Sequence, residues 1–521
     1  MDNRQANSSG ASSSGTSRFV PNTIALIVQT ILATLITLAQ IKILANYLPK
    51  DTFGLFASLR GFSLLLSTVA ANGIPLLLVR FIPVFETNRN SRDAVRLVLT
   101  CIVGATALLI LVSLMTQLFG KWTWRFADTG ALGFDLYFWF YATTLGVMLK
   151  LILYGGLNGL RRLTVQVVLE TASLAATLAA IVVLRDSLTL TLLFRILGIV
   201  HLVTVVVGLL VFFTYLRGQT GGRGPDDRRA RTDSYMSYYG GAVGLSLVAL
   251  AFTDVDRYLL AQVISLELLA LFHVGARISR LANRVLGVAN LAFQPEVTRL
   301  DTEGRDASVL RSTWIFLKFN TTMAVLMTMA VVVFAGEIIT IVSSHLYLDA
   351  VPLLVLLAAS LPLTTMTAPL TTVMKARDQA REALVCDLSW AFVYVLLIVW
   401  LSPKIGLIGV GLAQVLACMA QLLLALRLSN LPVKLRSVGL LASRLAVAVI
   451  AFVPPVLFGI FFDGGSSVSV GGKIVFFLVG CIVYRLLLDK LRVFDIDERS
   501  MLKDLLERRR LGFVSRLVGV K

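Results

Sequence analysis

Fourteen apolar stretches constrain this chain more than any other feature. They lie near residues 20–48, 54–83, 97–119, 134–154, 163–184, 188–216, 237–262, 266–297, 312–335, 350–373, 382–402, 405–426, 438–461 and 474–489. Each is long enough to cross, as a helix, a hydrocarbon layer about 30 Å thick. No water reaches the backbone inside lipid, so a spanning segment of this kind satisfies its N–H and C=O groups within itself and is helical. The expected fold class is therefore an all-α polytopic membrane protein of about 14 transmembrane helices. Composition agrees, since only 15% of the 521 residues are charged and 57% are hydrophobic.

The connections between the stretches test the count. With the N-terminus in the cytoplasm, the inner connections carry Arg89, Arg92 and Arg96; Arg161 and Arg162; Arg217, Arg223, Arg228, Arg229 and Arg231; Arg299, Arg305 and Arg311; Lys375, Arg377 and Arg381; and Arg427, Lys434 and Arg436. The outer connections carry only Lys50, Lys121, Arg125, Arg185, Lys404 and Lys473. One missed span would scramble this alternation from that point on, so both the count and a plasma-membrane orientation with cytoplasmic termini follow from the positive-inside rule. The net charge of +18 thus reads as topology, and no nucleic-acid partner is expected.

Six divisions are expected along the chain. Residues 1–19, rich in Ser, Gly and Asn, form a disordered cytoplasmic tail without the apolar core and cleavage site of a signal peptide. Residues 20–216 form an N-terminal six-helix lobe, and 217–236 a basic cytoplasmic linker suited to the anionic inner leaflet. A C-terminal six-helix lobe covers 237–430, two extra spans cover 431–490, and a basic amphipathic tail covers 491–521, with Met501, Leu502, Leu505 and Leu506 at helical spacing. A weak repeat relates the lobes. Shifted by 216 positions, Asp51 falls on Glu267, Gly54-Leu55-Phe56 on Ala270-Leu271-Phe272, and Arg60 beside Arg277. An even number of helices per lobe makes the repeat parallel, a design that places a substrate cavity between lobes.

Charges within apolar stretches are the candidate site. A charge at a helix centre costs about 2.5–3.5 kcal/mol on insertion scales, so it marks a protein interior or a wet cavity. The substrate-binding candidates are Lys42 and Arg60 in the first lobe and Arg277 and Arg280 in the second. The last two lie one turn apart, on one helix face. Guanidinium groups converging in this way suit a phosphate or pyrophosphate. Asp254, Asp256 and Arg257 are coupling or ion-pair candidates, and a set of purely structural ion pairs is the bland alternative. Gly73-Ile74-Pro75 weakens the second helix and is the candidate hinge. Lys150, Glu170, Arg195, Lys318, Asp387 and Arg444 each stand singly on a helix and are expected to snorkel or pair locally. His201 reads as a packed histidine.

No catalysis and no cofactor are expected. Cys101, Cys386, Cys418 and Cys481 lie far apart, without metal-ligand spacing. Asp254-Val255-Asp256 matches the minimal DxD of metal-dependent glycosyltransferases, but residues two apart on a helix point in different directions. Walker A, HExxH and GxSxG sequences are absent.

The chain resembles the oligosaccharide flippases of the polysaccharide-biosynthesis family, within the multidrug/oligosaccharidyl-lipid/polysaccharide (MOP) exporter superfamily. The residues that carry the resemblance are Leu44-Ala45-x-Tyr47-Leu48-Pro49, Phe53-Gly54, the helix running to Gly73, and Val79-Arg80-Phe81-Ile82-Pro83. Asp254 to Arg257, Leu271 to Arg280 and Gln294-Pro295-Glu296 agree in the second half. The resemblance covers about residues 20–430. It implies an alternating-access flippase for a glycan on a polyprenyl phosphate or pyrophosphate, in contact with membrane lipids and with glycan-assembly enzymes. A cation-coupled drug extruder of the same superfamily, which favours buried carboxylates over arginines, is the alternative. A membrane glycosyltransferase or polymerase, which needs a sizeable outer loop, is a more distant one.

Overall fold

The computed structural model describes residues 32–87, 91–118, 133–217, 255–377, 379–429, 435–461 and 467–491, with positions 239, 243, 493, 494 and 498. The 1–19 tail, nearly all of the 217–236 linker and the amphipathic segment around Met501 lie outside the described residues. The chain divides into two compact units, Met1–Ala270 and Leu271–Lys521.

The protein is an all-α polytopic membrane protein, and among the described residues there is no strand. In the first unit α1 is Leu32–Tyr47, α2 Lys50–Ala70, α3 Ile74–Thr87, α4 Ser91–Leu118, α5 Phe134–Gly159, α6 Leu163–Val183, α7 Leu190–Arg217 and α8 Val255–Ala261. Helix α9, Leu266–Thr302, begins in the first unit and runs on in the second. There follow α10 (Asp306–Val333), α11 (Ala335–Val342), α12 (Val351–Ala359), α13 (Leu361–Ala376), α14 (Ala380–Leu428), α15 (Leu435–Val449), α16 (Val453–Phe461) and α17 (Ser467–Lys490).

Every expected span coincides at least in part with helix. Ten described helical stretches are long and apolar enough to cross a membrane. The difference from fourteen has physical causes. The first span is described only from Leu32 and the seventh mainly as α8. Helix α9 is too charged to count by hydropathy, and the eleventh and twelfth spans run together as α14, which bends where Gly406 takes φ +58°. The thirteenth loosens into a 3-10 turn at Ile450–Phe452, just before Pro454-Pro455.

The second expected span is two helices. Helix α2 starts after Pro49, with Asp51 in its first turn, and its end is closed by the Ala71 N–H donating to Ser67 O at 2.9 Å. Gly73 then sits at φ +73°, a left-handed conformation that costs a residue with a Cβ about 1–2 kcal/mol. Pro75, whose fixed φ suits a first helical turn, follows at the start of α3.

In the first unit α5 is the central post. Gly155 and Gly159, one turn apart, let α3 lie directly on its backbone: a Cβ at Gly155 would stand 2.6 Å from Pro75 Cα, and one at Gly159 2.7 Å from Ile82 Cβ. Small residues at this spacing are what helix pairs in lipid use, where no hydrophobic force drives helices together. Hydroxyls complete the contact with α2 and α7. Ser67 Oγ donates to Thr144 O at 2.8 Å, Thr144 Oγ1 to Ser63 Oγ at 2.9 Å, and Thr143 Oγ1 to Phe194 O at 3.0 Å. In the second unit Leu317, Val325, Leu370, Val373, Ala425, Leu445 and Phe452 share one buried cluster contributed by α10, α13, α14, α15 and the 3-10 turn that follows α15. Large apolar side chains such as Val103, Leu210, Phe392 and Leu486 lie exposed on the helix exteriors, the surface a lipid-facing protein presents.

Candidate functional site

Arg60 lies on α2, half-buried, between the buried residues Leu59 and Gly61. It is within electrostatic range of Arg257 on α8 and of Glu170 on α6. Among the described residues Arg60 has neither a hydrogen-bond nor an ion-pair partner. A guanidinium withdrawn from bulk water carries five donors to be satisfied. This one stands in the field of a second cation and of a carboxylate already engaged elsewhere, and its chemistry suits an anion.

The Glu170 engagement is specific. Its Oε2 takes Lys150 Nζ from α5 at 2.9 Å and the Tyr154 hydroxyl, one turn further along α5, at 2.7 Å. Lys150 is 11% exposed at its side chain, so it cannot reach the lipid headgroups. Lys150 and Glu170, each single on its helix and expected to snorkel or pair locally, pair with each other across two helices. The Lys150-x-x-x-Tyr154 spacing was the available signal for a shared partner. His201 on α7 is within range of Lys150 and Arg60, and its Cβ occupies the space left by Gly146.

Arg257 is 1% exposed and Asp256 is buried beside it. The neighbouring Tyr258 stacks on Phe62 of α2, centroids 4.6 Å apart, which seats α8 two residues from Arg60 along α2. Asp254 lies outside the described residues. Lys42 stands half-buried on α1, its carbonyl accepting from Asn46 Nδ2 at 2.6 Å.

Arg277 and Arg280 are in the second unit, both half-buried on α9, with Ile278 and Ser279 buried between them. Arg280 is within electrostatic range of Tyr394 on α14 and of the exposed Arg284. Tyr394 stacks on Trp390 at 5.1 Å, so an aromatic pair on α14 stands beside this cation. Arg60 and Arg257 thus belong to one unit, and Arg277 and Arg280 to the other. Among the described residues no three His, Cys, Asp or Glu side chains gather as for a metal ion.

The fold is that of known membrane transporters. The chain is similar to a lipid II flippase, MurJ, in an inward closed conformation, at 13% identity with a TM-score of 0.66 over 91% of this chain and 99% of that one. It is similar to an inward-facing multidrug resistance MATE transporter of the MOP superfamily, at 14% identity and TM-score 0.56, over 77% and 97% of the two chains. A MOP superfamily transporter from Pyrococcus furiosus follows at 12% identity and TM-score 0.51, over 78% and 94%. None of the curated proteins matches. These likenesses show the fold that the chain shares with those structures. More than half of the chain, residues 19–301, matches the model of the polysaccharide biosynthesis proteins, and the chain belongs to that family.

Proposed function

We propose that this protein is a flippase that moves a polyprenyl phosphate- or pyrophosphate-linked oligosaccharide from the cytoplasmic to the outer leaflet by alternating access, for surface polysaccharide or glycoprotein glycan assembly. The observation that carries this reading is Arg60, a half-buried guanidinium with no hydrogen-bond or ion-pair partner among the described residues, within electrostatic range of Arg257 and of an already engaged Glu170. A phosphate cannot cross hydrocarbon unaided, because its desolvation is prohibitive. Donors fixed inside the protein replace its water. Lys42 in the first unit, and Arg277 and Arg280 in the second, are the further cations assigned to binding the cargo, and Arg257 is assigned to coupling or an internal ion pair. Asp254 and Asp256 serve as their internal counter-charges.

An apolar cavity of about 340 Å³ in the second unit supports a lipid cargo. It is lined by Ile450, Pro454, Phe476, Val479, Val483 and Leu487 on the two C-terminal spans. Chemically it suits a stretch of isoprenoid chain. The break at Gly73-Ile74-Pro75 is the assigned hinge. Two six-helix lobes, 20–216 and 237–430, rock about the site, in a plasma membrane with both termini inside. The protein acts without catalysis, and glycan-assembly enzymes are its expected neighbours.

The test is lipid analysis of a strain lacking the gene. Mass spectrometry is expected to show an accumulated polyprenyl-linked glycan, protected from an external glycosidase in intact spheroplasts and cleared when the gene is restored. A glycan that accumulates already facing outward overturns the reading in favour of a later transfer or polymerisation step. No accumulation, with heightened sensitivity to organic cations, overturns it in favour of a drug extruder.

A further inference from the structure

The two C-terminal spans are fastened to the second unit by buried ion pairs at both ends of the last helix. At its first turns, Lys473 of α17 meets Glu337 of α11 at 2.5 Å, with side chains 6% and 20% exposed. Val493 and Phe494 are buried in the same cluster as Leu317 and Val325 of α10. Glu498 then places both carboxylate oxygens on Lys318 Nζ of α10, at 2.9 and 2.8 Å. These side chains are only 8% and 11% exposed, and Trp314 covers the ammonium at 5.4 Å. Between the two ends the Tyr484 hydroxyl donates to Thr322 O at 3.2 Å, and Phe477 meets Phe334 and Phe452, each at 5.4 Å.

From this pattern we infer that Lys318–Glu498 and Lys473–Glu337 form a two-ended latch that makes α17 a permanent part of the second unit, so that the apolar cavity beside α17 keeps its shape and moves with that unit. Much of α17 faces outward, with Val475, Leu478, Ile482 and Leu486 exposed, so burial of apolar surface alone holds it weakly. In lipid an outward apolar face gains nothing by packing inward. A charge stripped of water does. Once Glu498 or Lys473 has been desolvated, leaving its partner exposes an unpaired charge in an apolar setting, and the helix stays closed. The C-terminal segment up to Glu498 therefore has a mechanical role, whatever the cargo.

The experiment is distance measurement between spin labels at Ile341 on α11 and Val475 on α17, both outward-facing, in the full-length protein in nanodiscs. One narrow distance population is expected for the otherwise unaltered chain. Glu498→Gln and Lys473→Met are each expected to add a second, longer population and to speed hydrogen exchange across 485–498. In Lys318→Met/Glu498→Met, where no charge remains to be stranded, the single population returns. Two populations already present without any latch substitution overturn the proposal. So does a single population, with unchanged exchange, in both single variants. The labelled but otherwise unaltered protein keeps the test decisive if a variant fails to fold.

Discussion

The interior of the first unit and the C-terminal part of the second both hold charges among apolar helices, and they resolve them in different ways. In the second unit, beyond α9's Arg277 and Arg280, several cations are matched to carboxylates: Lys318 has Glu498, Lys473 has Glu337, and Arg377 bridges Asp301, at 3.0 Å, and Asp306. In the first unit one carboxylate, Glu170, is held by Lys150 while Arg60 stands in its field with no bond among the described residues. Matched charges fix helices to each other. An unmatched one is held at a cost that only a ligand relieves. Stability and transport are therefore expected to separate cleanly between the two regions.

The largest effect tests the first region. Arg60→Ala is expected to lower flipping by about 10- to 100-fold, the equivalent of one or two charge-assisted hydrogen bonds. The protein should remain inserted and abundant, with a melting temperature no lower than that of the unaltered protein, because no ion pair among the described residues is lost. Arg277→Ala and Arg280→Ala are expected to abolish export as well, again without loss of protein. The readout is the ratio of protected to glycosidase-accessible lipid-linked glycan. Normal export by Arg277→Ala, Arg280→Ala and the double variant removes the second unit's arginines from the phosphate site.

The second region should respond in the opposite sense. Lys473→Met leaves Glu337 buried without its cation, and breaking one side of such a pair costs about 3–5 kcal/mol. A fall in melting temperature of several degrees is expected. Replacing both partners, Lys473→Met/Glu337→Leu, should recover most of it, since an apolar pair of similar volume is often as stable as the ion pair. If the double variant is as unstable as the single, the pair acts through something other than matched charge.

The contrast between the regions also shows what a sequence can disclose about such a chain. The spans were readable because lipid leaves the backbone one option, and loop charge gave an independent check on their number. The break after Asn72 was visible in Gly73 and Pro75. That it is complete, with two separate helices, depends on φ at Gly73, which no periodicity reports. The partners of the buried charges were not readable. Glu170 is 20 residues from Lys150 along the chain, and Glu498 is 180 residues from Lys318. Such pairs are set by which helix faces meet, and so are close approaches such as that of α3 to Gly155 and Gly159, glycines that look in sequence like any others.

Gly73 gives a smaller effect and links the comparison to motion. Gly73→Ala forces a Cβ into a left-handed backbone and is expected to destabilise by about 1–2 kcal/mol. If the break is a hinge, flipping should slow by more than the loss of folded protein explains, as judged by export per molecule inserted. If export per molecule is unchanged, the break is only a packing feature between α2 and α3.

The smallest effect belongs to an exposed charge, and it sharpens the contrast by what it lacks. Glu303, in the connection between α9 and α10, accepts from Arg305 at 3.1 Å and from Arg299 at 2.7 Å. The hydrogen bond from Arg305 and the neighbouring guanidinium charges hold its carboxyl below the usual carboxylate range. A lowered value in the folded protein means that any stabilisation is present above the unfolded carboxylate's titration, near pH 4–5, and is lost as pH falls through the folded value. Water and salt screen a pair this open, so the contribution is small at any pH. Glu303→Gln is expected to leave melting temperature and export unchanged at pH 7, in low salt and high. A clear loss of stability on that substitution, larger in low salt, would mean that solvated pairs in this connection contribute as the desolvated pairs Lys318–Glu498 and Lys473–Glu337 do.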